Sequence, residues 1–191
     1  MIHNKLDDMY KERFDIESVK PYIIETLGKR EKIHTLIDST LEEQKRGIDL
    51  IGKTSDGKNI YIEVKIRHKL YDGGNDILLE TWSKENQTIG WMGTPYRDGY
   101  CNSDYIVYVW KINNDPIFGY IFALNPLRSW WRKQNENAFK MKASQNIGYT
   151  TINRVVNIKQ IPLDAITHSD IINKKSNNNI GNFDSVDEMF A

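Results

Sequence analysis

A chain of 191 residues with 39% hydrophobic and 27% charged side chains has the apolar content for one packed domain and is short for two. A single cysteine, Cys101, excludes an intrachain disulfide framework and a cysteine-based zinc site. The 26 basic and 26 acidic residues cancel, but residues 176–191 hold three acids and no Lys or Arg; the remaining excess of positive charge is compatible with a polyanion and does not require one.

In chain order, "IESVKPYIIETL" (16–27) predicts a helix, with Val19, Tyr22, Ile23 and Leu27 at helical spacing and Gly28 as a stop. "KIHTLID" (32–38) alternates as a strand does. The polar stretch "STLEEQKRG" then leads to a strand at Ile48–Gly52, and Asp56-Gly57 supplies a turn into a longer strand, Asn59–Arg67, so an antiparallel hairpin is expected. "DILLETW" (76–82) and "DYIVYVW" (104–110) predict further strands, joined by a Gly- and aromatic-containing connection with weak helical character around "WSKENQTIGWM". "PIFGYIFAL" reads as another strand. Asn125-Pro126 then opens a helix expected to reach about Phe139, since Pro suits a first helical turn. "YTTINRVVNI" predicts a late strand, and residues 173–191 read as an Asn-rich linker and an acidic tail after a domain spanning 1–172. The apolar run at Tyr105–Trp110 is far below the roughly 20 residues of a membrane helix, and the N-terminal stretch lacks an apolar leader segment. A cytoplasmic protein without membrane contact is therefore expected.

Alternation places Tyr61, Glu63, Lys65 and Arg67 on one face of the Asn59–Arg67 strand and Ile60, Ile62, Val64 and Ile66 on the other. Across the hairpin, Asp49 interrupts an apolar strand and is expected beside Glu63. Two carboxylates about 4 Å apart repel by roughly 4 kcal/mol at an effective dielectric of 20, which a bound cation would offset. Asp49, Glu63 and a backbone carbonyl, assigned to Val64, form an oxygen set suited to Mg²⁺, with Mn²⁺ as a substitute. Lys65 would lie beside that metal, able to orient a water or stabilise charge on a phosphate. A cross-strand salt-bridge cluster on a solvated sheet face is the bland alternative.

"GID" at 47–49 and "EVK" at 63–65, with a preceding helix, an Asp-Gly turn and a β-rich continuation, resemble the PD-(D/E)XK nuclease superfamily over residues 15–123. The first acid here follows Gly-Ile rather than Pro. The resemblance implies an α/β fold with a mixed central sheet flanked by helices, the restriction-endonuclease-like core, and metal-dependent hydrolysis of phosphodiester bonds in DNA. It also implies an additional carboxylate, for which Glu43, Glu25 and Glu80 are candidates in that order. Richness in Asn, Ile and Lys points to a bacterial or phage source, hence the cytoplasm of a bacterium or an infected host. A catalytically silent nuclease-like domain that binds DNA or a protein, such as a phage accessory protein or a host-defence inhibitor, stays open as the alternative. So does an interaction module in which the charge cluster is incidental.

Arg67 and Lys69 extend the strand and are candidate phosphate contacts, whereas His68 reads as a solvated strand end. "RSWWRKQ" (128–134) offers Arg128 and Arg132 for nucleic acid, set against a helix with one Trp in the core and its cations in water. "GWMGTPYRDGY" (90–100) reads either as a substrate loop or as packing on a sheet edge. In the tail, Phe183, Val186, Met189 and Phe190 would share one face of a helix, leaving the acids to meet a basic groove, on a protein partner or on the chain itself. Oligomeric state is left open, and a dimer is compatible with the sequence.

Overall fold

The structure is a computed structural model that describes residues 2–67, 76–112 and 115–171. Helix α1 (Ile2–Glu31) begins well before residue 16 and continues through Pro21 and Gly28. Packing holds it: Val19, Tyr22, Ile23 and Leu27, three and four residues apart, are buried on the sheet beneath. Strands β1 (Ile33–Asp38), β2 (Leu50–Thr54) and β3 (Asn59–Arg67) follow as an antiparallel meander. A one-turn helix, α2 (Leu41–Gln44), lies between β1 and β2. The Asp56-Gly57 turn stands where the sequence put it, with the Gly57 N–H donating to Thr54 O at 3.0 Å.

The chain then forms β4 (Asp76–Lys84), the short β5 (Thr88–Ile89), and a hairpin of β6 (Gly93–Thr94) and β7 (Arg97–Asp98). It returns as β8 (Tyr105–Ile112), parallel to β3, and β9 (Asp115–Ala123), antiparallel to β8. Helix α3 (Leu124–Trp131), β10 (Lys140–Asn146), β11 (Tyr149–Asn157) and β12 (Ile166–Ile171) complete it. Two main sheets result, one ordered β1-β2-β3-β8-β9-β12 and the other β10-β11-β4-β5. The first is mixed, as expected for an α/β chain.

Alternation in β3 and β8 divides the core. Ile62, Val64, Val107 and Val109 join Leu50 and Ile121 under α1, while Ile106, Tyr108 and Trp110 turn to the other face, where Ile77 and Leu79 of β4 and Val156 of β11 cover them. A helix therefore covers one face and a second sheet the other, rather than helices on both.

Two further differences have local causes. The helix expected to reach Phe139 ends at Trp131, because residues 140–146 pair with β11 as an outer strand, Lys140 opposite Val155 and Asn146 opposite Tyr149. With mostly exposed polar side chains, β10 carries little periodic signal; its ladder defines it. The weak helical pattern near residue 84 is instead the end of β4 and its turn into β5. Among the described residues, no helix is long and apolar enough to cross a membrane.

Candidate active site

Asp49 sits just ahead of β2, on backbone held from three sides. Its N–H donates to Ile62 O at 2.9 Å, its carbonyl accepts the Ser39 N–H at 3.1 Å, and the preceding Ile48 N–H donates to Glu43 O at 3.1 Å. Leu50 is the register partner of the same Ile62, so two residues of the incoming chain meet one of β3, as in a β-bulge, which re-aims a side chain. The Asp49 carboxylate thus turns onto β3, where Oδ2 accepts the Val64 N–H at 2.7 Å.

Beside it, Glu63 is only 3% exposed. Lys65 Nζ makes an ion pair with Glu63 Oε1. The other oxygen, Oε2, is buried and takes no N–H or hydroxyl donor; its neighbour is the Asp49 carboxyl, which hydrogen-bonds to Glu63 while it holds its proton and leaves the pair open once it ionises. A buried acceptor left open has an energetic cost unless something fills it. Burial first, and then the Glu63 charge, push the Asp49 carboxyl up to about 7, against the pull of the Val64 N–H and Lys65. Burial opposes the charge on Lys65, but Glu63, Tyr100 and Asp49 together outweigh it and hold the ammonium protonated. With both acids ionised, the single ammonium leaves the cluster one negative charge in excess, which a cation would offset. Asp49 and Glu63 fit a hard divalent ion, with the Val64 carbonyl the candidate third oxygen. Groups of three or more His, Cys, Asp or Glu spaced for a metal do not occur among the described residues, so the protein side of such a site rests on two acids.

The Asp49 shift sets a pH dependence. Below about pH 4 the group is protonated in folded and unfolded chains alike. Between about 4 and the folded value of about 7 only the folded chain keeps the proton. Stability of the metal-free protein should therefore fall as pH rises through this window, by at most about 1.4 kcal/mol per pH unit from this group. Cation affinity should rise over the same range. Urea unfolding in EDTA between pH 5 and 8, wild type against Asp49→Asn, measures it; the same slope in both proteins would contradict the assignment.

Segment 99–103 covers the site. Cys101 Sγ and Ser103 Oγ donate to Gly47 O at 3.2 and 2.6 Å, and the Asn102 N–H donates to Arg46 O at 2.8 Å. Burial, then the Glu63 charge, push the Cys101 thiol up to about 11, so it stays protonated. Tyr100 is half-exposed above this contact; burial raises its phenol against the pull of Lys65, with Glu63 and Glu80 adding to the rise. Gly47 makes the contact possible, since φ is +70° and a Cβ there would lie 2.9 Å from Cys101 Cα and 3.0 Å from Tyr100 Cε2. Gly47→Ala should cost about 1–3 kcal/mol by backbone strain alone and dislodge the Tyr100–Cys101 cover. Thermal unfolding and Cys101 thiol labelling would show it; unchanged Tm and labelling would contradict it.

The other sequence candidates fall unevenly. Glu80, on β4, borders the site through Tyr100, and its Oε1 accepts Ser83 Oγ at 2.5 Å. Glu43 is engaged in the cap of α2, where Oε2 accepts the Thr40 N–H at 2.7 Å and Oγ1 at 2.8 Å. Glu25 is exposed on α1, which packs on the face of the sheet opposite Glu63. Arg67 donates through Nε to the Tyr108 hydroxyl at 2.9 Å, and its guanidinium stands 5.3 Å from that ring's centre. Arg128 gives its NH2 group to the carbonyls of Trp91, Gly99 and Cys101. Arg132 grips Asp98 with two nitrogens. Lys69, His68 and residues 173–191 lie outside the described residues. Sequence reasoning missed Tyr100, for which only its place in the Gly-rich 90–100 stretch gave a signal. Comparison with protein-family models, curated proteins and solved structures gives no match.

Proposed function

We propose that the protein is a Mg²⁺-dependent nuclease that hydrolyses phosphodiester bonds in DNA, with the restriction-endonuclease-like arrangement that its Gly-Ile-Asp and Glu-Val-Lys segments resemble. The observation that carries the reading is the buried Glu63 carboxylate in direct contact with an Asp49 carboxyl raised to about 7, with a protonated Lys65 on the same strand face. Further support comes from the order of elements: a helix, an acid at a bulged strand start, and Glu-x-Lys across the hairpin, in a mixed sheet.

Asp49 and Glu63 would hold the ion, with Mn²⁺ able to replace Mg²⁺. Bound there, the ion supplies a Lewis acid for a phosphate oxygen and lowers the pKa of a coordinated water. Lys65, kept protonated by its acidic neighbours, acts as a charge rather than as a base: it orients the attacking water and stabilises negative charge growing on the phosphate. The Val64 N–H bond fixes the Asp49 rotamer, so the carboxylate pair is set before substrate arrives.

Incubation of supercoiled, linear and branched DNA with the protein in Mg²⁺, Mn²⁺ or EDTA tests the reading. Cleavage in either metal and none in EDTA is expected. The direct Lys65–Glu63 ion pair and the lack of a third acid at metal spacing among the described residues favour one rival, a catalytically silent domain. DNA binding without cleavage in any metal would establish that rival and overturn the enzyme.

A further inference from the structure

The 90–101 stretch is held from several directions. Trp131 of α3 donates through Nε1 to Gly93 O at 3.0 Å. Arg128, three residues earlier, ties together the carbonyls of Trp91, Gly99 and Cys101 at 2.8–3.1 Å. Arg132, at the end of the same helix, binds both carboxylate oxygens of Asp98 at 2.7 and 2.8 Å. From the other side, β4 receives the Gly90 and Met92 N–H groups on the carbonyls of Thr81 and Glu80. Gly93, at φ +81°, is where the two arms of the β6–β7 hairpin close on each other: a Cβ there would stand 2.3 Å from Arg97 O. Gly93, Thr94 and Pro95 are buried.

From this fixed backbone one ring emerges into water: Tyr96 is 93% exposed. Arg97 beside it is exposed as well. Four residues on, the Tyr100 ring lies against Gly47, two residues before Asp49, and within electrostatic reach of Glu63 and Lys65; the Cα atoms of the two tyrosines lie at most about 14 Å apart. An exposed aromatic ring on a rigid turn and a cation next to it therefore stand within a few residues of a second ring beside the candidate site. A backbone already fixed loses little further entropy when a ligand stacks on it.

We infer that Tyr96, Arg97 and Tyr100 form a stacking ledge for unpaired nucleotides next to the bond that is cut, so the substrate class is DNA with a single-stranded segment at the cleavage point rather than intact duplex. The inference rests on the nuclease reading for the identity of the polymer. Its chemistry is its own: Tyr96 offers a π-face to a base whose own face is free, which duplex bases do not provide, and Arg97 meets the adjoining phosphate.

The test is fluorescence anisotropy of a short oligothymidine and of a duplex of equal length, in EDTA, so that binding is read without metal or cleavage. Tyr96→Ala should weaken oligothymidine binding about tenfold, Tyr96→Trp should restore it, and duplex binding should change less than about twofold. Arg97→Ala should reduce the slope of log Kd against log salt by about 0.7. Equal oligothymidine affinity for wild type and Tyr96→Ala, equal loss on duplex, or no oligothymidine binding by wild type would each overturn the ledge. Mg²⁺-dependent cleavage together with an unaffected Tyr96→Ala would remove the ledge and keep the nuclease. A Tyr96 effect in a protein that cuts nothing would keep the single-strand stacking surface and remove the nuclease.

Discussion

Asp49→Asn is expected to abolish Mg²⁺-dependent cleavage, by at least about a thousandfold, while making the metal-free protein more stable at pH 8. Both effects follow from one carboxylate. The Asn side chain keeps an oxygen for the Val64 N–H and offers Glu63 an NH2 donor at every pH, where the Asp49 carboxyl offers one only while protonated. The charge that burial and Glu63 disfavour is removed, and with it a ligand. With a folded-state value of about 7 and partial exposure, the gain at pH 8 should be about 2 kcal/mol. Activity assays paired with urea unfolding in EDTA measure the two together. A cross-strand salt-bridge cluster predicts the reverse, a loss of stability, so a destabilised and fully active Asp49→Asn would refute the site.

The second large effect concerns stability alone. Lys111 of β8 and Asp15 of α1 form an ion pair at 2.6 Å, with side chains 0% and 7% exposed. Lys111 points to the α1 side of the sheet, the side that Val107 and Val109 face. The pair therefore pins the helix over the face opposite the candidate site. Asp15→Ala or Lys111→Ala should cost about 3–5 kcal/mol, because one charge stays buried, whereas the joint apolar replacement Asp15→Leu with Lys111→Met should cost far less. Against a total stability of about 5–15 kcal/mol, either single change threatens folding near body temperature. Denaturant midpoints for the three variants decide it: a single-variant cost below about 1 kcal/mol, or a double variant worse than both singles, would contradict the buried-pair reading.

The parts of the fold visible in the sequence are those written into neighbouring residues. The alternation of "NIYIEVKIR", the Asp56-Gly57 turn and the apolar strands at 105–110 and 116–123 each carry a local pattern, and each appears in the structure. Strands β10 and β12 carry no such pattern; pairing with β11 and β9 makes them strands. Helix α1 extends toward the N-terminus beyond the span where its buried stripe could be read. The expectation that Asp49 lies beside Glu63 follows from hairpin geometry, but the bulge that turns its carboxylate onto the Val64 N–H depends on Ser39 and Glu43, fixed by tertiary contacts. Arg128 shows the opposite limit. Its cationic, aromatic surroundings in "RSWWRKQ" suggested nucleic acid, and its three carbonyl partners, 27 to 37 residues away in the chain, were not readable from the helix.

Metal binding is the most direct test of the Asp49–Glu63 pair. Manganese titration at pH 8, followed by electron paramagnetic resonance and calorimetry, needs no substrate and compares wild type with Asp49→Asn, Glu63→Gln and Lys65→Ala. A tight site is expected in wild type, retained in Lys65→Ala because an ammonium is not a ligand, and lost in both carboxylate variants. Equal manganese binding by all four proteins, or none by wild type, would show that these two acids do not form a cation site.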